Sequence, residues 1–224
     1  MTRNLVIVSA GTSQPSTTRM LADRIAAASV ERLREMEVTT TVGAVEVAPL
    51  AVEAARALVT GVPSAELQAA IEQIAAADAV IAAAPVYKAG INGLFKSFVD
   101  VLDDDLLIAK PVVLAATAGS SRHALVVDEQ MRSLFAYMRA LTLPTSVFAA
   151  PEDWGAAELG ERIRRAATEL AVVIEGQIER GIADRVWSGY RHEFAGNATR
   201  AEQTAANVDF DSPLMRLAAG GRTN

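Results

Sequence analysis

Two rhythms of hydrophobic spacing share this chain. Residues 4–9, 38–47, 78–84, 111–117 and 145–149 are short runs of apolar or β-branched residues and predict strands. Residues 78–84 are apolar almost throughout, as a strand covered on both faces must be. Between these runs the apolar residues recur every three or four positions. Examples are Leu21, Ile25, Ala28, Leu33 and Met36 within 17–36, and Ile91, Leu94, Phe95, Phe98 and Leu102 within 91–102. The longest such stretch, 156–179, carries Leu159, Ile163, Ala167, Leu170, Ile174 and Ile178. That period predicts helices with one buried face, and a further helix is expected over 126–141. Residues 50–77 hold helix formers interrupted by Thr60-Gly61-Val62-Pro63, which predicts a loop or short helix and then a helix capped by Ser64. Five strands alternating with helical regions predict the α/β class, a three-layer α/β/α sandwich around a parallel sheet.

At 224 residues the chain suits one such domain, expected over 1–183. Residues 184–224 are more polar, with an apolar island of Phe210, Leu214, Met215 and Leu217. They are expected to form either a plain terminus or an arm that docks those side chains. Net charge is -6, which disfavours binding to a phosphate backbone, so no nucleic-acid partner is expected. No stretch is apolar for long enough to span a bilayer, and a cytoplasmic location is expected. Cysteine is absent and only two histidines, His123 and His192, are present. Disulfides, iron–sulfur clusters and thiol relays are thereby excluded, and no spacing suggests a metal site. Any electron chemistry would need a bound organic cofactor. Neither Gly11-Thr12-Ser13 nor Gly119-Ser120-Ser121 completes a nucleophile elbow, so a serine hydrolase gains no support.

Doubly wound sheets bind ligands beyond the carboxyl ends of their strands, where strand order reverses. The loops after the first, third and fourth strands are therefore the places to look. The first runs from Ser9 through Gly11 to Thr18, with hydroxyl residues at Thr12, Ser13, Ser16, Thr17 and Thr18 ahead of a helix. A helix start offers free N–H groups and the positive end of the dipole, and hydroxyls add donors for phosphate oxygens. With one glycine and no lysine it is neither a dinucleotide fingerprint nor a P-loop, and it suits a terminal monophosphate. The plainer reading is a cluster of capping residues. Arg19 is open between aiding the phosphate and standing in solvent.

The second loop carries Pro85, Val86, Tyr87 and Lys88, then Gly90 and Gly93. A flat aromatic cofactor needs such a wall, with backbone amides at its polar edge and an apolar or aromatic side chain against its ring. Lys96 and Asp100, one turn apart, are expected to pair with each other. The third loop offers Thr117, Gly119 and Ser120, followed by Arg122 and His123. Asp153 is expected to cap the last helix.

The order of these motifs resembles the NADPH-dependent FMN reductase family of flavodoxin-like proteins. The resemblance covers about residues 1–180 and rests on the Gly11–Thr18 loop and on Pro85, Tyr87, Gly93, Lys96 and Asp100. It implies a five-stranded parallel sheet in the order 2-1-3-4-5, with FMN as cofactor and NADPH or NADH as hydride donor. The first loop would hold the FMN phosphate, Pro85 to Lys88 would line the isoalloxazine, and Gly119-Ser120 would reach its pyrimidine end. Gln14 or a neighbour stands where that family usually has an arginine. No acid or base residue is required, because the chemistry belongs to the cofactors. The resemblance also implies a homodimer or homotetramer, and a flavin-dependent monooxygenase as recipient of the reduced flavin. A quinone or azo reductase, a flavodoxin-type electron carrier and a flavin-free binding module are the alternatives.

Overall fold

Strand β1 (Arg3–Ser9) lies between two parallel neighbours in the computed structural model, which describes residues 2–187. Helix α1 (Thr17–Glu35) follows, and then β2 (Thr40–Glu46) pairs with one edge of β1, Leu5 opposite Val42. A short turn leads into α2 (Ala51–Thr60) and α3 (Ala65–Ala75), the latter capped by Ser64 as expected. The chain then crosses to the other side of β1, where β3 (Ala79–Tyr87) pairs with it, Leu5 opposite Ala79. The carboxyl ends of β1 and β3 thus form the point of reversal.

β3 ends three residues later than the pattern predicts. Val86 and Tyr87 pair antiparallel with β4 (Gly90–Ile91), so strand three ends in a two-residue hairpin. Lys88 and Ala89 occupy its corner with φ of 51° and 66°, the pair of left-handed conformations that a type I′ turn demands. Glycine or asparagine normally marks that turn. Ile91, expected in a helix, is therefore in β4, and α4 (Gly93–Val99) starts two residues later and ends three earlier than predicted.

β5 (Pro111–Thr117) pairs with β3, Val80 opposite Val112. The helix expected at 126–141 is a π-helical turn at Val127–Met131 running into α5 (Arg132–Tyr137). The fifth sheet position is filled by two short strands, β6 (Leu141–Thr142) and β7 (Val147–Ala149), both parallel to β5. Pro144 lies in the gap, where the Arg132 guanidinium donates to the carbonyl oxygens of Leu143 at 2.9 Å and Pro144 at 3.3 Å. The order, leaving the hairpin strand β4 out of the count and taking that broken edge as one strand, is the 2-1-3-4-5 of flavodoxin-like sheets.

α6 (Ala157–Glu175) ends earlier than its periodicity suggests, because Gln177 turns left-handed at φ 50°. α7 (Ile178–Ile182) follows it, and Ile178 is exposed rather than in the core. A last helical turn, Ala183–Trp187, spans the expected domain boundary. The apolar island at Phe210–Leu217 lies outside the described residues.

Sheet alternation separates two cores. Val6, Val8, Val80, Ala82, Val112 and Leu114 pack against Ile71 and Ile74 of α3, Phe95 and Phe98 of α4, and Phe135 of α5. Leu5, Ile7, Ile81, Val113 and Ala115 face the other way, onto Leu21 and Ile25 of α1 and Ile163 and Leu170 of α6. Both faces of the central strands are buried, which explains their unbroken apolar runs. Among the described residues no helix is long and apolar enough to cross a membrane.

Candidate functional site

Three loops meet at the carboxyl rim of β1, β3 and β5. The first is shaped by a close approach: a Cβ on Gly11 would lie 1.9 Å from Ser16 Oγ, so a side chain there would push the Ser16 hydroxyl out of its capping position. Ser16 is the N-cap of α1, and its Oγ accepts the Arg19 N–H at 3.1 Å. That answers one of the free donors of the helix start and leaves the preceding N–H groups, at the positive end of the dipole, for an anion.

The hydroxyls of this loop divide by role. Ser13 Oγ donates to the Pro15 carbonyl at 3.1 Å, and Thr17 is exposed. Thr18 is buried and its Oγ1 shares a 2.7 Å hydrogen bond with Thr117 Oγ1, tying α1 to the end of β5. The side chains of Thr18 and Thr117 therefore brace the rim, a use the pattern of hydroxyls did not reveal. Ser9 is fully buried at the end of β1, and its Oγ has no hydrogen-bond partner among the described residues. Arg19 is engaged elsewhere, with Asp23 at 2.7 Å and with Glu46. Burial works against its charge, but the two carboxylates outweigh this and hold its pKa above the ordinary value. Neither of the two sequence alternatives describes it.

Tyr87 projects from the hairpin, half exposed, and its Oη lies 2.6 Å from Thr12 Oγ1. Pro85 and Val86 are buried beneath it, and Lys88 is exposed at the turn. Gln130, in the π-helical turn, accepts from the Ile91 N–H at 3.0 Å and donates to the Ala89 carbonyl at 3.4 Å, pinning the hairpin from the side. Lys96 and Asp100 form the surface ion pair expected of them.

Asn92 was not singled out in the sequence and proves central here. It is buried; its Nδ2 donates to the Ala10 carbonyl at 3.1 Å and its Oδ1 accepts the Phe95 N–H at 3.2 Å. Local preference marks an asparagine before a helix as a cap. The bond to Ala10, 82 positions away, leaves no such trace.

In the third loop Ser120 Oγ accepts from the Arg122 N–H at 3.5 Å. No atom of the described residues lies within 4 Å of where a Cβ on Gly119 would stand, so that face is open among them. Glu152 Oε1 accepts the Ser121 N–H at 3.3 Å. Its own backbone N–H and then Ser121 hold the carboxyl below the ordinary carboxylate value. Arg122 Nε is 3.3 Å from His123 Nε2. Asp153 does not cap α6, which begins after Ala156. Its Oδ2 instead accepts the Ala150 N–H at 2.7 Å, closing the turn after β7.

Comparison with known proteins gives the family in which this rim occurs. Residues 3–155 match the NADPH-dependent FMN reductase family. The chain belongs to that family. It is 37% identical over 180 residues to the FMN reductase (NADPH) of Pseudomonas aeruginosa, covering 78% of this chain and 94% of that one. It is 40% identical over 182 residues to the NADH-dependent FMN reductase SfnE of Pseudomonas putida, covering 77% and 92%. The solved structure of an oxidoreductase from Corynebacterium diphtheriae superimposes with a TM-score of 0.75 at 43% identity, covering 77% and 97%. This flavin reductase is accordingly an NAD(P)H:flavin oxidoreductase that uses FMN and a nicotinamide nucleotide.

The residues present fit FMN. A fully buried, unpartnered Ser9 Oγ, the tight Gly11–Ser16 contact and a donor set of hydroxyls and N–H groups suit a monophosphate. A groove of about 570 Å³ beside α6, lined by residues such as Leu143, Arg164 and Val172, lies apart: no residue of the three loops lines it.

Proposed function

We propose that the three loops of this reductase hold FMN jointly, the first by its phosphate and the other two by its ring. The observation that carries this is the cross-bracing of the rim, Thr12 to Tyr87, Ala10 to Asn92 and Thr18 to Thr117, which makes three separate loops one binding surface. FMN supplies the chemistry, accepting a hydride from the nicotinamide. The protein orients the two rings and excludes water between them. The N–H groups at the start of α1, with Ser9, Thr12, Ser16 and Thr17, receive the phosphate. Pro85 to Lys88 form the wall for the ring. The Gly119 and Ser120 N–H groups donate to its pyrimidine edge, where negative charge develops on reduction.

Related enzymes are named for NADPH and for NADH alike, so both nucleotides belong in the test. Purified protein is titrated with FMN and then mixed anaerobically with each nucleotide. The reductase reading requires rapid bleaching of the flavin absorbance with at least one of them. Flavin that binds but does not bleach would make the protein an electron carrier.

As the family resemblance implies, the reduced flavin passes to a flavin-dependent monooxygenase, in the cytoplasm, and the enzyme works as a homodimer or homotetramer. The outer face of α2 supports self-association, since Val52 and Val59 stand exposed on it two turns apart and Val62 is exposed in the loop that follows. Light scattering on a sizing column should return two or four times the 23.6 kDa chain mass.

A further inference from the structure

We infer that Asn92 is a positioning residue that sets the direction of the Gly11 N–H and the angle of the flavin-facing hairpin together. The inference rests on the reading that these loops hold FMN. Three bonds fix Asn92 itself. Its Oδ1 caps α4 through Phe95 N–H at 3.2 Å, its backbone N–H donates to the Pro85 carbonyl at 3.0 Å, and its Nδ2 donates to the Ala10 carbonyl at 3.1 Å. Only one orientation of the amide satisfies both side-chain bonds, because a flip would set donor against donor and acceptor against acceptor.

The Ala10 bond matters for what lies beyond it. A trans peptide is planar, so a carbonyl held in one direction sends the N–H of the next residue the opposite way. Ala10 N–H is already committed to the Ala83 carbonyl at 3.0 Å. With Asn92 on its carbonyl, the Ala10–Gly11 peptide has no freedom left, and the Gly11 N–H points away from α4. The Pro85 bond ties the same residue to the start of the hairpin that carries Tyr87. Asn92 therefore couples the phosphate loop to the ring wall from below, without touching the ligand.

Asn92→Ser separates this role from simple capping. Serine can still accept the Phe95 N–H, as Ser64 does for Leu67 in α3, but it cannot reach the Ala10 carbonyl. Loss of a buried hydrogen bond of this kind should raise the Kd for FMN about tenfold, with a smaller loss of Tm than Asn92→Ala shows. Ser64→Ala removes a helix cap that, among the described residues, shares no hydrogen bond with the three loops, and serves as the stability control. It should lower Tm and leave the FMN Kd unchanged. An unchanged Kd in Asn92→Ser would overturn the inference, and so would an equal rise in Kd in Ser64→Ala. If the unaltered enzyme binds no FMN in the same titration, the loop assignment falls first and the inference with it.

Discussion

The pairing of Arg19 with two carboxylates beside the first loop is a residue-scale property with a measurable consequence. Arg19 is the nearest arginine in sequence, yet Asp23 and Glu46 hold its guanidinium. Partly exposed pairs of this type contribute about 0–1 kcal/mol to stability. Arg19→Ala should therefore lower Tm slightly and leave the FMN Kd within about twofold of the parent. A loss of tenfold or more in FMN titrations would mean that Arg19 leaves its partners for the phosphate. Glu152 makes a second case. Its carboxyl is held below the ordinary range, so its bond to Ser121 is complete at neutral pH and is lost only as pH falls through that depressed value. The Ser121 amide resonance should shift in strong acid in the parent and not in Glu152→Gln. A transition at or above the ordinary carboxylate pKa would contradict the assignment. The hydroxyl-rich first loop was legible in the sequence as a candidate anion site, the reading that FMN titration tests. The separate task of Thr18 was not, because its partner Thr117 lies 99 residues away and spacing says nothing of which way a hydroxyl points.

Among the elements, the hairpin between β3 and β4 is the most informative, because it departs from local preference. Ala89 holds a left-handed φ of 66°, which costs a non-glycine residue about 1 kcal/mol. Ala89→Gly should raise stability by about that amount, seen as an increase in Tm. A fall in Tm would show that the side chain does more in packing than the strain costs. The strain sits beside Tyr87 and is countered by Gln130, which bonds the hairpin on both sides of Gly90. Nothing in Tyr-Lys-Ala-Gly announces this turn, so the sequence pattern ended strand three at residue 84 and read a plain loop before the helix. The central strands were legible for the opposite reason. Buried on both faces, β3 and β5 must be apolar at nearly every position, and this signal survives without tertiary information. The broken fifth strand depends on Arg132 reaching the Leu143 and Pro144 carbonyls, a contact between elements that periodicity does not encode.

For the molecule as a whole, alternation of strands and helices was enough to point to the carboxyl rim as the candidate site, and the family resemblance supplied the strand order that the topology then shows. The loops that fold brings together carry the candidate residues on β1, β3 and β5 and on the start of α1. A net charge of -6 makes the molecule repel its anionic substrates at long range, so recognition has to come from oriented neutral donors within the rim. A crystal structure of the enzyme with FMN is the most direct measurement of that claim. The phosphate should lie within hydrogen-bond distance of the Gly11–Thr18 segment, with the ring between the Tyr87 hairpin and the Gly119-Ser120 loop. Flavin seated in the groove beside α6, or bound through an arginine or lysine side chain at its phosphate, would contradict it.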